Sequence, residues 1–166
     1  MKYAATLAAA TAMLAFTAVE ASAQSRGVVR AQGQNGAVAA GAGPNGAFVR
    51  GRGAVQNSDG SVTAGSAGAV RGPAGARAAR GSTTTVNPDG SATRQSRLGA
   101  AGANGAVSSS GSTTRNADGT YTGARSTQAV GVQGGTYQGS TTYDPVTGLT
   151  RSTTCTNPAG VVVPCN

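Results

Sequence analysis

Asn87-Pro88-Asp89-Gly90 is the stretch that decides how this chain is organised, because each of its residues favours a reversal of chain direction. Asn bonds to its own backbone in turns, Pro fixes φ at the second corner, and Gly accepts the left-handed conformation at the last. The same turn pattern recurs at Asn57, Asp59 and Gly60, and again at Asn116, Asp118 and Gly119. The same turn is therefore repeated along the chain.

The turn glycines follow a regular period along the chain. Gly60, Gly90, Gly119 and Gly148 are separated by 30, 29 and 29 residues. Softer turn patterns lie between them, as in Pro73-Ala74-Gly75, so that a turn falls about every fifteen residues and a doublet spans about thirty. A repeat of this kind predicts serially paired or stacked units rather than a conventional globular domain.

The residues after each turn glycine alternate in size, which is the pattern of a β-strand. The first and third are mostly small or polar and the middle one is often large, as in Ala47-Phe48-Val49 and Thr120-Tyr121-Thr122. One strand face should therefore carry the few large side chains. We predict an all-β fold of tandem β-hairpins, arranged as a meander or as a solenoid-like stack. The N-x-D-G turn suits a short hairpin with a glycine bulge, which favours the meander; disorder in solution is a third alternative.

The N-terminus has the layout of a secretory signal peptide. Residues 1–23 combine an early Lys, an apolar run and an A-x-A site, which predicts cleavage between Ala23 and Gln24. An uncleaved membrane anchor is the alternative, but the run is short for a span. We expect a secreted or cell-surface protein, with the periplasm left open, and no membrane span after signal removal. Residues 24–45 form a Gly/Ala-rich segment expected to be poorly ordered, and residues 46–166 form the hairpin region.

The composition argues against an enzyme. After residue 23 the chain has twelve Arg and four Asp but no His, Lys or Glu, and the four Asp are widely spaced and tied to turns. General acid–base catalysis needs such groups placed together. We therefore predict no catalytic activity, no cofactor and no small-molecule substrate. Large apolar residues are also too few for a conventional core, so order must come from backbone hydrogen bonding, stacking or a partner.

Cys155 and Cys165 are the two cysteines of the chain. In an exported protein an even count predicts a disulfide, with two reduced thiols as the alternative. A metal site is not expected, because two Cys without His or a nearby carboxylate cannot complete four ligands.

Arginine provides nearly all of the positive charge, and its planar fork suits phosphate, sulfate and carboxylate groups. Extracellular DNA, anionic polysaccharide or lipid headgroups would be fitting partners. Arg50 and Arg52 are two residues apart and should share a strand face. The alternative is that the arginines only keep the chain soluble and block edge-to-edge pairing of strands. The candidate contacts for an anionic polymer are Arg50, Arg52, Arg77, Arg80, Arg94 and Arg97.

Two resemblances agree with this organisation. The stretch from Tyr143 to Arg151 resembles one YD repeat of large secreted shell-forming and carbohydrate-associated proteins, which implies extracellular β-hairpins in series. In general architecture the chain also resembles secreted bacterial fibre subunits of the curli type, which combine a signal peptide with Gly-, Ser- and Thr-rich hairpin repeats. That resemblance implies self-association.

The sequence thus favours a secreted or cell-surface structural repeat protein, such as a matrix, fibre or adhesin-like component. The alternative is an Arg-rich binding module for an anionic polymer.

Overall fold

The computed structural model describes residues 27–165, and it consists of eleven β-strands connected by short turns. The predicted signal peptide and its cleavage site at Ala23 and Gln24 lie outside the described residues. The strands are β1 (Gly27–Gly33), β2 (Gly36–Gly43), β3 (Gly46–Gln56), β4 (Val62–Arg71), β5 (Arg77–Val86), β6 (Ala92–Gly102), β7 (Gly105–Arg115), β8 (Tyr121–Gly131), β9 (Thr136–Asp144), β10 (Gly148–Thr156) and β11 (Val162–Val163).

All eleven strands belong to one antiparallel sheet, and each pairs with the next along the chain. The sheet is open, with β1 at one side and β11 at the other. The predicted all-β fold of tandem hairpins is confirmed, and the hairpins are arranged as a meander.

The N-x-D-G stretches form hairpin turns with a glycine bulge, as their sequence predicts. The Asn87 amide donates to the Ser91 carbonyl at 2.9 Å, and the Gly90 amide donates back to the Asn87 carbonyl at 3.0 Å. Gly90 has φ +83°, the left-handed conformation that glycine adopts without a steric penalty. The turns that begin at Asn57, Asn116 and Asn157 have the same two bonds.

Other hairpins are tighter and have only two residues between the paired positions. Gly102 pairs with Gly105 across Ala103 and Asn104, and the turns after β1 and β2 have the same length. Between β4 and β5 the chain instead forms a 3₁₀ turn at Pro73–Gly75, within which Ala74 has φ 55°.

Alternate turns lie on the same edge of the sheet, because consecutive strands run in opposite directions. One edge, the aspartate edge, holds all four described Asp residues in the turns after β3, β5, β7 and β9. The other edge holds the intervening turns, including Pro73–Gly75. Each thirty-residue doublet of the sequence therefore corresponds to two consecutive antiparallel strands, with one turn at each of these edges.

The sheet is a single layer, and no core lies against it within residues 27–165. Among these residues Ala39 is the only buried apolar one, at 7 % exposure, while Val29, Val70 and Leu149 remain more than half exposed. Backbone hydrogen bonding between strands therefore supplies the order, as expected for a chain with so few large apolar residues.

Strands β1 and β2 lie in the segment 24–45, for which the composition predicted poor order. In the structure Val28 pairs with Gly41 and Val38 pairs with Gly51, which joins both strands to β3. The Gln34-Asn35 and Pro44-Asn45 turns supply the reversals that this pairing needs.

Candidate functional site

Strand register divides the side chains between two faces, because directly opposed residues of an antiparallel sheet point to the same side. We call the side that carries Phe48 and Arg50, with the residues in register with them, the arginine face. The opposite side, which carries Val49 and Gly51, is the small-residue face. Eight of the eleven described arginines belong to the arginine face: Arg30, Arg50, Arg52, Arg80, Arg94, Arg115, Arg125 and Arg151.

The large apolar side chains are placed on the same side as these arginines. Phe48, Tyr121, Tyr137, Leu98 and Leu149 all belong to the arginine face by register. This agrees with the prediction that one face carries the large residues. The small-residue face is mainly Gly, Ala, Ser, Thr and Val, and its three arginines are Arg71, Arg77 and Arg97.

Three arginines form a row across the first five strands. Arg30 on β1, Arg50 on β3 and Arg80 on β5 are in register, and Ala39 and Gly68 occupy the same row on β2 and β4. Neighbouring strands lie about 4.8 Å apart, so these arginines recur about every 9.6 Å across the sheet. We call this set the arginine row.

The arginine row lines a groove of about 880 Å³ that crosses β1 to β6. Ala39 and Gly68 also line it, and Arg52, Arg94 and Arg125 add further positive charge. Arg97 also borders this groove, although its register position assigns its side chain to the opposite face.

Hydroxyl groups hold one of the groove arginines in place. Arg125 donates from Nη1 to Ser109 Oγ at 2.9 Å and from Nη2 to Ser96 Oγ at 3.2 Å. Ser109 is buried at 8 % exposure and shares a further hydrogen bond with Thr127 at 2.9 Å. The Arg125 guanidinium thus extends from β8 to β6 and is fixed at two points.

The six arginines predicted from the sequence fall on both faces. Arg50, Arg52, Arg80 and Arg94 share the arginine face, whereas Arg77 and Arg97 are on the small-residue face. Sequence reasoning did not select Arg30, Arg115, Arg125 or Arg151. Turn length is the signal that could have found them. Across each two-residue turn, the residues of the arginine face change from even to odd numbers or from odd to even. Across each N-x-D-G turn, they stay even or stay odd.

The turn aspartates bond within their own turns. The hydroxyl and amide of Ser91 both donate to Asp89, and these bonds lower the pKa of Asp89 below its usual value. Ser61 lowers the pKa of Asp59 and Thr120 lowers that of Asp118 in the same way. For Asp144 the amides of Val146 and Thr147 do so. Within residues 27–165, no group of three metal-ligating side chains comes together.

Threonine side chains line the small-residue face near the aspartate edge. Thr63, Thr85, Thr93, Thr114 and Thr122 are in register on consecutive strands from β4 to β8. The hydroxyls of Thr63 and Thr85 lie 3.0 Å apart, and Asn57 Nδ2 donates to Thr63 Oγ1 at 3.0 Å. The row therefore links the turn at Asn57 to the sheet.

Cys155 and Cys165 form the predicted disulfide, with a Cα–Cα distance of 5.3 Å. It joins β10 to the residues that follow the short strand β11. In the described part of the chain, residues 27–165, no helix is long and apolar enough to cross a membrane.

Fold and surface define a class, a single-layer antiparallel meander with one cationic, grooved face and one face of small side chains. Comparison with known proteins finds no matching protein family, no matching curated protein and no matching solved structure.

Proposed function

We propose that the protein is a secreted or cell-surface structural repeat protein, without catalytic activity, that assembles with copies of itself. The single observation that supports this is the absence of a second layer over either face of the sheet in residues 27–165. Sheets normally bury at least one face against another layer. A second copy of the chain could cover one of these faces without any other protein.

The small-residue face is suited to this contact. Ten strands of about ten residues form a face of roughly 33 by 48 Å, or about 1,600 Å². A stable interface needs about 800 Å² from each partner. Small side chains let two sheets approach closely, and eight of the eleven described arginines would then remain outward. The N-terminal signal pattern and the disulfide favour an oxidising location outside the cytoplasm.

The assembly is tested with two matched variants on β4. Ala67 and Ala64 are both exposed, and they lie on the small-residue face and the arginine face respectively. Ala67→Arg should prevent association in analytical ultracentrifugation, whereas Ala64→Arg should not. Assemblies should also diffract with a 4.7–4.8 Å strand spacing and a sheet spacing of about 10 Å. A chain that stays monomeric at every concentration would contradict the proposal.

A second candidate function is binding of an anionic polymer, and the observation that favours it is the groove lined by the arginine row. Guanidinium groups bind carboxylate, sulfate and phosphate through paired hydrogen bonds. The four described acidic residues are all on the aspartate edge, so the groove face is cationic.

Polyanion binding should fall with salt, because each neutralised charge releases counterions. The double change Arg50→Gln and Arg80→Gln should weaken binding to a mixed panel of anionic polymers. Arg71→Gln with Arg77→Gln is the matched control, since it removes the same charge from β4 and β5 on the opposite face. Equal losses from the two variants would point to nonspecific attraction and would contradict a site in the groove.

A further inference from the structure

We propose that the groove takes an acidic polysaccharide with one negative charge per disaccharide, whose chain runs across the strands; this rests on the second candidate function. The spacing of the arginine row carries the inference. Arg30, Arg50 and Arg80 recur every second strand, about every 9.6 Å. That interval is about the length of two linked pyranose rings, so successive arginines would meet successive charges of such a polymer.

A nucleic acid fits this row less well. A DNA strand carries one phosphate for about every 3.4 Å of duplex axis, and duplex DNA carries twice that density. Along the arginine row, most of its phosphates would therefore face the intervening Ala39 and Gly68, which offer no positive charge, while the other groove arginines lie outside this row. The row matches a sparse, regular array of charges.

The groove lining between the arginines is suited to sugar rings. Gly68 has no side chain, so the gap between Arg50 and Arg80 is open to a ring, whereas Ala39 is buried between Arg30 and Arg50. The paired hydroxyls of Ser66 and Ser82, whose oxygens are 3.2 Å apart, line the same groove. Neutral hydroxyls there can exchange hydrogen bonds with sugar hydroxyls without adding charge.

An aromatic ring lies beside the row. Phe48 is on the same strand and face as Arg50, and its ring lies over Gly41 of β2. Phe48 as a whole is 37 % exposed. A ring that rests on a glycine keeps its other side available, and aromatic side chains with one accessible side stack on apolar faces of ligands. Phe48 lines a depression next to the groove rather than the groove itself, so it would contact only a ring that extends beyond the arginine row.

The test compares three polymers of equal total charge by fluorescence anisotropy at one salt concentration. They are hyaluronan fragments with one carboxylate per disaccharide, oligogalacturonate with one carboxylate per sugar, and single-stranded oligothymidylate. We expect hyaluronan to bind tightest at matched total charge, and Arg50→Gln with Arg80→Gln to weaken it roughly tenfold. Circular dichroism of each variant checks that the sheet is retained.

The outcomes separate the two proposals. Equal or tighter binding of oligothymidylate or oligogalacturonate would overturn the assignment of the polymer while leaving polyanion binding in place. Binding of none of the three would overturn both.

A variant that moves one charge tests the spacing directly. Gly68→Arg with Arg80→Gln keeps the net charge but places two arginines on neighbouring strands. A Cβ at Gly68 would lie 3.4 Å from the Val49 carbonyl oxygen, close to ordinary contact, so the sheet should tolerate it. Hyaluronan binding should fall several-fold, because one of its charges would lose its arginine. Oligogalacturonate binding should not fall. Unchanged hyaluronan binding would overturn the spacing argument.

Discussion

Ser91 donates two hydrogen bonds to one carboxylate oxygen of Asp89, from its amide at 2.9 Å and from its hydroxyl at 2.7 Å. Asp59 accepts the same pair from Ser61, and Asp118 accepts it from Thr120. The structural role of the N-x-D-G stretch therefore extends one residue past its glycine. A hydroxyl residue completes the turn, and the charged form of the carboxylate is the form that accepts both bonds.

The first prediction concerns pH. The Ser91 hydroxyl and amide lower the pKa of Asp89 in the folded chain, so folding favours the charged form. The resulting stability is fully present above the unfolded pKa of about 4 and is lost as pH falls through the lowered folded pKa. The thermal midpoint should therefore decrease below about pH 4. Changing Asp59, Asp89 and Asp118 together to Asn should make this decrease smaller. If the variant has the same pH profile as the original chain, the prediction is wrong.

The second prediction compares two turn glycines with different surroundings. Gly90 has φ +83° and open space where a Cβ would stand, so Gly90→Ala meets only the left-handed backbone penalty of about 1–2 kcal/mol. Gly105 has φ +125°, and a Cβ there would overlap the Val130 carbonyl oxygen. Gly105→Ala should lower the urea midpoint considerably more than Gly90→Ala. Gly90→Val should still cost more than loss of a single Val, and no change in its melting would contradict the hairpin structure.

The glycine-marked turns explain how much of this fold could be predicted. Asn57, Asn87 and Asn116 each begin a turn whose hydrogen bonds are local, so nearby sequence determines them. Once two such turns are fixed, the strand between them is also fixed, and only its register with the neighbouring strands is left to determine. The strands β1 and β2 were harder to predict, because they depend on pairing with β3 rather than on their own composition.

The candidate groove was less predictable, because it depends on face and therefore on register. Arg77 and Arg80 are three residues apart on β5, so strand alternation alone predicts that they lie on opposite faces. Contacts between separate strands, such as that of Arg125 with Ser96, are harder to predict. Turn length determines which residues of separate strands share a face. The two-residue turn after β6 shifts the arginine face from even to odd numbers, which brings Arg125 to the same side as Arg94.

The third prediction is a stabilising change. Ala74 has φ 55° and ψ 25° within the turn at Pro73–Gly75, a left-handed conformation that costs alanine about 1 kcal/mol relative to glycine. Ala74→Gly removes this penalty, although added freedom of the unfolded chain offsets part of the gain. The urea midpoint should rise or stay level. Ala103→Gly is the control, because Ala103 has no positive φ and should lose stability instead.

The last prediction concerns the disulfide and which strands it stabilises. Cys155 and Cys165 close a loop with a sequence separation of 10, for which chain entropy predicts about 2–3 kcal/mol of stabilisation. In this meander each strand pairs only with its neighbours, so this loss should be confined to the end of the sheet. Changing both cysteines to Ser should remove amide exchange protection from β11 and the end of β10, while β4 to β8 keep theirs. Loss of protection throughout the sheet would contradict nearest-neighbour stability and would mean that the chain unfolds as one cooperative unit.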